Sequence, residues 1–403
     1  MSHESALNGQ GIQLPGGTFN GDNFTWSQLP RQIACNEKRR LLIFDGRYED
    51  SYNYDPRQTP DHSSGTPRTP EERKQALLHS LRFDEMSQRL HKISVSEARP
   101  CRWLLRCEAY QAWDPMPATH SASDYAPPSP PLSDTRPLLW IRGKQGTGKS
   151  TLMKFACEHA EKSRSGESIL THFFHTRGVE LQRSVEGMYR SLLVSLVSDA
   201  TTAEIAELLR RSGTDPADDG WTIMELENLV TLAIDILELR PMTWFVDALN
   251  ECNRDQIHKM AMFFNDLTER ALARDLQLRI CLASRHHPYI SLRHATGLVV
   301  ENEPGHIENV SAFITNKLHI GRSLLAERIR DEMRHRVQGV FIWVWLVAYI
   351  LQLDYGRARL RGLMDRLRSI PRDLAELYRE IFKDMQSDPD LIRVYLELPR
   401  KCT

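Results

Sequence analysis

The 403-residue sequence predicts an α/β fold, with a mostly parallel sheet flanked by helices and an all-helical arm after it. Between residues 137 and 303, short apolar runs alternate with segments of helical periodicity, the pattern of strand–helix–strand units with right-handed crossovers. After Pro304 the apolar spacing is helical to the end of the sequence. A hydrophobic share of 41% is sufficient for real cores.

The elements of the alternating region can be placed in order from the apolar runs and the glycines that bound them. Strands are predicted over residues 138–141, 168–174, 243–246, 279–283 and 298–300. Helices are predicted over residues 149–162, 185–197, 224–239 and 256–273. We therefore assign residues 137–303 to one core domain.

The sequence before this core falls into three parts. Residues 1–70 contain few aliphatic side chains, so we predict a disordered N-terminal region. Residues 71–114 are predicted to form a helical segment, beginning after Pro70 and carrying an apolar stripe that continues to Ile93. Residues 115–136 are rich in proline and are predicted to form a linker.

Charge and composition exclude several classes of function. Lys and Arg number 52 against 53 Asp and Glu, so the net charge of −1 gives no general attraction to nucleic acid. No apolar run reaches the roughly 18 residues that a transmembrane helix requires. The seven scattered cysteines include no Cys-x-x-Cys pair, which favours reduced thiols and a cytoplasmic location.

The strongest motif lies between the first predicted strand and the helix after it. It fits the G-x-x-x-x-G-K-[ST] pattern of a Walker A phosphate loop. Glycines let backbone N–H groups point at phosphate oxygens, Lys149 is expected to reach the β- and γ-phosphates, and the hydroxyl of Ser150 is expected to bind Mg²⁺. A glycine-rich turn without a ligand is the competing interpretation. The predicted nucleotide-binding residues are Gly143, Lys144, Gln145, Gly146, Thr147, Gly148, Lys149, Ser150 and Thr151.

A second candidate group follows the apolar strand at residues 243–246. Asp247 is predicted to bind Mg²⁺ from the carboxyl end of a strand that neighbours the first, and Glu251 to orient or activate a water molecule. An ordinary strand-end turn is the alternative for both. Arg285, at the end of the predicted strand 279–283, is a candidate sensor of the γ-phosphate, or else a surface arginine. Arg177 is more simply a solvated loop residue than an arginine finger for a neighbouring subunit.

Several stretches together give the sequence a family resemblance over about residues 75 to 385. The sequence resembles the NACHT domains of fungal STAND-class signalling NTPases, which are NOD-like receptor proteins of innate immunity. A small residue after the first acid of the second motif, here Ala248, is a trait of that family. The stretches that carry the resemblance are Leu81-Arg82-Phe83, Cys101-Arg102-Trp103-Leu104-Leu105, Leu139-Trp140-Ile141-Arg142-Gly143-Lys144, His172-Phe173-Phe174-His175-Thr176-Arg177-Gly178, Asp247-Ala248-Leu249-Asn250-Glu251-Cys252, Ala283-Ser284-Arg285-His286, Gly339-Val340-Phe341-Ile342-Trp343-Val344 and Ile370-Pro371-Arg372-Asp373-Leu374.

The resemblance implies a P-loop NTPase that acts as a switch between ADP and ATP, with GTP possible, and that self-oligomerises when activated. It also implies slow hydrolysis, an upstream ligand and an effector protein of unknown identity, and a role in non-self recognition or regulated cell death. It divides the helical arm into a helical domain, residues 304–355, and the start of a winged-helix domain, residues 356–403. We expect the C-terminal repeats of such receptors to be missing from this chain.

One departure from the family pattern concerns catalysis. The family usually has a second acid where this chain has Asn250, an amide that cannot act as a base. That substitution puts hydrolysis in doubt more than binding. A non-hydrolysing nucleotide-binding scaffold, or a degraded paralogue, therefore remains the alternative function.

Overall fold

The computed structural model describes residues 13–14, 17–18, 69–93, 101–115, 136–214, 220–237, 240–355 and 360–387. The chain divides into two units, residues 1–64 and 65–403. In the first, strand β1 (Gln13–Leu14) pairs antiparallel with β2 (Gly17–Thr18). Within the ranges 1–70 and 115–136, the structure describes only these four residues and residues 69, 70, 115 and 136. The predictions of a disordered region and a linker therefore lie outside the described residues.

A five-stranded sheet organises the second unit. Its strands are β3 (Leu138–Arg142), β4 (Ser168–Phe173), β5 (Met242–Asp247), β6 (Leu278–Ser284) and β7 (Ala295–Val299). They lie in the order β4-β5-β6-β3-β7, and every pairing is parallel. The predicted α/β fold is confirmed, and all five strands have their carboxyl ends at one edge of the sheet.

The strand order corrects one expectation. We expected Asp247 at the end of a strand that neighbours β3, but β6 lies between β3 and β5. Arg142 at the end of β3 is in register with Ser284 of β6, so Arg285 is the residue that follows the adjacent strand. The prediction was wrong because apolar periodicity identifies strands but carries no information on which strands pair.

Helices cover both faces of this sheet. They are α4 (Lys149–Ser163), α5 (Val185–Asp199), α6 (Thr202–Ser212), α7 (Ile223–Ile236) and α8 (Arg254–Arg274). Trp140 of β3 packs in the core shared with α5, α7 and α8, whereas its neighbours Leu139 and Ile141 pack with α4. This alternation is what a strand buried on both faces requires, because successive side chains point to opposite sides.

Among the described residues, three helices precede the sheet, and one of them differs from expectation. They are α1 (Pro70–Leu81), α2 (Gln88–Lys92) and α3 (Glu108–Trp113). The apolar stripe to Ile93 suggested one continuous helix, but the chain leaves helical geometry at Arg82, and Glu85 has a φ of 63°. The main-chain carbonyl of Glu85 instead accepts a hydrogen bond from Gln182 at 2.6 Å. A contact with a distant part of the chain therefore stabilises the interruption between α1 and α2, which the local periodicity did not indicate.

In the described part of the chain, the residues after β7 form α-helices joined by short connections. The helices are α9 (Pro304–Lys317), α10 (Leu324–Arg336), α11 (Phe341–Tyr355), α12 (Leu360–Ser369) and α13 (Leu374–Ser387). Buried Trp343 anchors their shared core and donates its indole N–H to the carbonyl of Pro371 at 2.8 Å. A division at residue 355 and a winged-helix domain after it remain predictions. In the described part of the chain, no helix is both long enough and apolar enough to cross a membrane.

Candidate functional site

The loop between β3 and α4 has the backbone that a phosphate loop needs. Gly146 and Gly148 have φ angles of 78° and 89°, in the left-handed region that side chains with a Cβ disfavour. A Cβ at Gly143 would come within 2.7 Å of the carboxylate of Glu301. Turns of this kind gather amide groups on their concave side, and α4 contributes a helix N-terminus at Lys149.

The side chain of Lys149 folds back over this loop. Its ammonium donates hydrogen bonds to the carbonyls of Gly143 at 2.7 Å and Lys144 at 2.8 Å. Burial lowers the pKa of Lys149 to about 8 although the nearby Asp247 acts in the opposite direction. A cation whose solvation by water is largely replaced by loop carbonyls is well placed to bind an anion entering the loop.

Ser150 and Asp247, the two predicted metal ligands, lie together. The Ser150 hydroxyl lies close enough to the carboxylate of Asp247 to lower its pKa. Asp247 is 1% exposed, and its Oδ2 has no hydrogen-bond partner among the described residues. Burial raises the pKa of Asp247 to about 6, while the nearby Ser150 hydroxyl acts to lower it. An unpaired buried carboxylate oxygen beside a hydroxyl is a donor set that suits Mg²⁺.

The turn after Asp247 explains the small residue at position 248. Ala248 has a φ of 58°, a left-handed conformation that a bulky or β-branched side chain would strain. Residues Leu249–Glu251 then form a 3₁₀ turn. This reversal carries Asn250 towards β6 and Glu251 towards the segment that follows β4.

The two side chains that leave this turn each accept a main-chain hydrogen bond. Oδ1 of Asn250 accepts from the amide of Arg285 at 2.8 Å. Oε2 of Glu251 accepts from the amide of Thr176 at 3.0 Å. Asn250 thus joins the carboxyl ends of β5 and β6, whereas Glu251 joins β5 to the chain after β4.

The charged candidates converge on one place although they come from different strands. The charges of Glu251 and Arg285 both act on Lys149, in opposite directions, and Glu251 also acts on Asp247. The structure therefore brings Lys149, Ser150, Asp247, Glu251 and Arg285 to the same edge of the sheet. Arg177 is exposed on the loop that carries Thr176.

Two residues near the loop escaped sequence reasoning. Glu301, just after β7, approaches the amide of Lys144 with Oε2 at 3.4 Å and pairs through Oε1 with Nε2 of His286 at 2.6 Å. Glu301 follows β7, and β7 lies beside β3. The sequence does not show that these two strands are neighbours, so Glu301 could be recognised only from the strand order. Arg89 of α2 is the other, and no motif marks it.

The start of α11 covers the outer side of the phosphate loop. The Ile342 side chain lies so close that a Cβ on Gly146 would be 3.0 Å from it, and the Ile342 amide donates to the Gly146 carbonyl at 3.5 Å. Gln338 accepts a hydrogen bond from the ammonium of Lys144 at 2.9 Å. The helical region thus contacts the loop directly.

Comparison with known proteins agrees with this geometry. Residues 99–285 match the family model described as Nephrocystin 3, N-terminal, a range that runs from the segment before β3 to Arg285. The chain is 24% identical over 273 residues to the vegetative incompatibility protein HET-E-1 of Podospora anserina. That match covers 64% of this chain and 19% of the relative.

These two matches support a protein similar to the fungal NACHT type. The resemblance inferred from its motifs is thereby confirmed, and the range matched by the family model contains the phosphate loop, Asp247 and Glu251. The five candidate side chains come from three separate parts of the sequence, which are the start of α4, the end of β5 with the turn after it, and the end of β6.

Proposed function

We propose that this NACHT-type protein is a nucleotide-dependent signalling switch that binds ATP or ADP, with GTP as a possible substitute, together with Mg²⁺. The observation that carries the proposal is the buried Oδ2 of Asp247, which is unpaired among the described residues and lies near Ser150 and Lys149 at the end of the phosphate loop. Ser150 and Asp247 would hold Mg²⁺, which supplies charge neutralisation between the β- and γ-phosphates. Lys149 and the loop amides would bind the phosphates themselves.

Replacement of ADP by ATP is proposed to drive self-oligomerisation. The charges near the loop support a response to the terminal phosphate, because the positive charges of Lys149 and Arg285 act on each other there and an added phosphate would offset both. The name of the relative, a vegetative incompatibility protein, supports a place in non-self recognition. We also propose an upstream ligand that triggers the switch and an effector protein that receives its signal. Both are defined here by their roles alone.

Hydrolysis, where it occurs, is expected to be slow. Glu251 is the acid left to orient water, and one of its oxygens is already engaged by the amide of Thr176. Asn250 carries no charge and is engaged by the amide of Arg285. A second function, a scaffold that binds nucleotide without hydrolysing it, is favoured by these two engaged side chains.

Two measurements test these functions. Light scattering on the purified chain is expected to show larger particles with a non-hydrolysable ATP analogue and Mg²⁺ than with ADP and Mg²⁺. Identical particle mass in both would contradict the switch. Single-turnover hydrolysis then compares wild type, Glu251→Gln and the control Asp266→Asn, an exposed acid of α8. Background phosphate release from all three would favour the scaffold, whereas loss in Glu251→Gln alone supports slow hydrolysis.

A further inference from the structure

The helix α2, outside the strands that build the site, places an arginine beside it. Arg89 lies in the middle of α2 (Gln88–Lys92), which packs against the edge strand β4. Gln182 donates a hydrogen bond to the Glu85 carbonyl before this helix, at 2.6 Å. Lys154 of α4 donates to the carbonyls of Leu90 at 3.1 Å and Ile93 at 2.7 Å. The position of α2 is therefore fixed both by the chain after β4 and by the helix that follows the phosphate loop.

Three buried polar atoms, whose residues are linked by the charge of Arg89, have no partner among the described residues. They are Nε of Arg89, Nδ1 of His175 and Oδ2 of Asp247. They come from α2, from the end of β4 and from the end of β5. Buried polar atoms are nearly always hydrogen-bonded, so these three atoms are available to a ligand that enters beside them. Asp247, at 1% exposed, is almost completely enclosed there.

The positive charge of Arg89 acts on Asp247, the last residue of β5. Burial is the main cause of the raised pKa of Asp247. The nearby Ser150 hydroxyl lowers that pKa most, and the charge of Arg89 lowers it next. Burial also lowers the pKa of His175, and the charge of Arg89 lowers it further. Arg285, by contrast, acts on Lys149. The two arginines thus serve different parts of the site, one beside the phosphate loop and one beside Asp247 and His175.

Arg89 is placed to bind a ligand rather than to form an ion pair with Asp247. Nε of Arg89 and Oδ2 of Asp247 both lack partners among the described residues, so these two atoms are not bonded to each other. A guanidinium held near a carboxylate without bonding to it can accommodate another group between them. In P-loop proteins the Mg²⁺-binding acid marks the γ-phosphate end of the nucleotide.

We propose that Arg89 is a binding residue for the terminal phosphate of a nucleoside triphosphate, supplied within the same chain by the segment that precedes the NTPase core. The inference rests on the proposed function, since it assumes that nucleotide binds at Gly143–Ser150. The triphosphate places an oxygen where Nε of Arg89 now lacks an acceptor, and the diphosphate does not. Arg89 thereby makes α2 sensitive to which nucleotide is bound.

The experiment is an equilibrium titration of the full chain with two fluorescent nucleotides in the presence of Mg²⁺, a non-hydrolysable triphosphate and the diphosphate. The variants are Arg89→Gln and the control Arg82→Gln, which removes an exposed arginine from the same segment. A lost charge-assisted hydrogen bond to phosphate is expected to weaken triphosphate binding about tenfold in Arg89→Gln. Diphosphate binding is expected to change by less than about twofold, since charge-assisted bonds act at hydrogen-bonding distance.

A second measurement separates a phosphate contact from a general loss of structure. Amide hydrogen exchange in residues 85–93 is expected to slow when the triphosphate analogue binds to wild type and to Arg82→Gln, but not to Arg89→Gln. Equal weakening of both nucleotides in Arg89→Gln, unchanged binding, or tighter binding would each overturn the inference. Wild-type protein that binds neither nucleotide would instead overturn the proposed function, and the inference with it.

Discussion

The amide of Arg285 donates a hydrogen bond to Oδ1 of Asn250 at 2.8 Å, so the residue that replaces the expected second acid connects two strand ends. An aspartate oxygen can accept the same bond. We therefore expect Asn250→Asp to leave nucleotide affinity unchanged and to alter single-turnover hydrolysis by less than about threefold, because position 250 binds backbone rather than water. A large gain in hydrolysis would show that the amide had been blocking catalysis.

The same hydrogen bond can be tested by removing its acceptor. Asn250→Ala leaves the amide of Arg285 without its acceptor and is expected to lower the free energy of unfolding by about 1–2 kcal/mol. Denaturant titration of the nucleotide-free protein measures this cost, with Asn250→Asp as the matched control that keeps an acceptor. Equal stability of the alanine and aspartate variants would contradict the role assigned to Asn250.

Asp247 is predicted to reduce the stability of the nucleotide-free protein and to be required for Mg²⁺ binding. Asp247→Asn is expected to increase the free energy of unfolding by roughly 1–3 kcal/mol at pH 7.5, because it removes a buried charge whose pKa is raised. The same variant is expected to lose the Mg²⁺ dependence of nucleotide binding. Unfolding and titration of one preparation measure both effects, and a destabilised variant would contradict the account.

The stability difference should depend on pH in a defined direction. Burial raises the pKa of Asp247 to about 6 in the folded protein, well above the range of an exposed aspartate. A carboxyl whose pKa is raised on folding favours the folded state only while it is protonated. The advantage of Asp247→Asn should therefore be absent below about pH 4, grow between about pH 4 and 6, and stay constant above that range. An advantage that shrank as pH rose would contradict this assignment.

Gly146 is expected to be intolerant of a side chain for two separable reasons. Its φ is 78°, and an added Cβ would lie 3.0 Å from Ile342. Gly146→Ala should cost about 1–2 kcal/mol for the left-handed conformation, plus a smaller cost for the contact. A double-mutant cycle with Ile342→Ala separates these costs, since the second change relieves only the contact. Full recovery in the double variant would refute the conformational part.

A buried arginine is expected to stabilise the helical region. Arg336 donates to the carbonyls of Arg368 and Ile370, at 3.2 and 2.6 Å. Arg336→Met should lower the free energy of unfolding by about 2–3 kcal/mol, because it leaves two carbonyls without these donors. The control is Arg328→Met, which changes an exposed arginine of the same helix. Similar unfolding midpoints for the two variants would argue against this role.

Much of the fold was predictable because it depends on local periodicity. All the predicted strands and helices of the core are present, and Ser168–Phe173 and Lys149–Ser163 end within one residue of the prediction. Periodicity did not give the order of strands, so the place of β6 between β3 and β5 was missed. Helix α6 was also missed, although Thr201 and Glu204 form a capping box at its start.

The candidate site was predictable where one short stretch carries the chemistry. The phosphate loop and Asp247 could be found because their spacing is characteristic. Arg89 and Glu301 could not, since they reach the site from α2 and from the end of β7 through tertiary packing alone. Residues of that kind are visible only when the strand order and the buried unpaired atoms are known.

The most direct test of the account is nucleotide binding by the phosphate loop. Titration of the wild-type chain with a fluorescent ATP analogue and Mg²⁺ should give saturable binding, which Lys149→Ala and Lys149→Met should abolish. Lys162→Ala, an exposed lysine of α4, should bind as wild type does. Binding by both Lys149 variants with wild-type affinity, or no binding by the wild type, would contradict the claim that Gly143–Ser150 binds nucleotide.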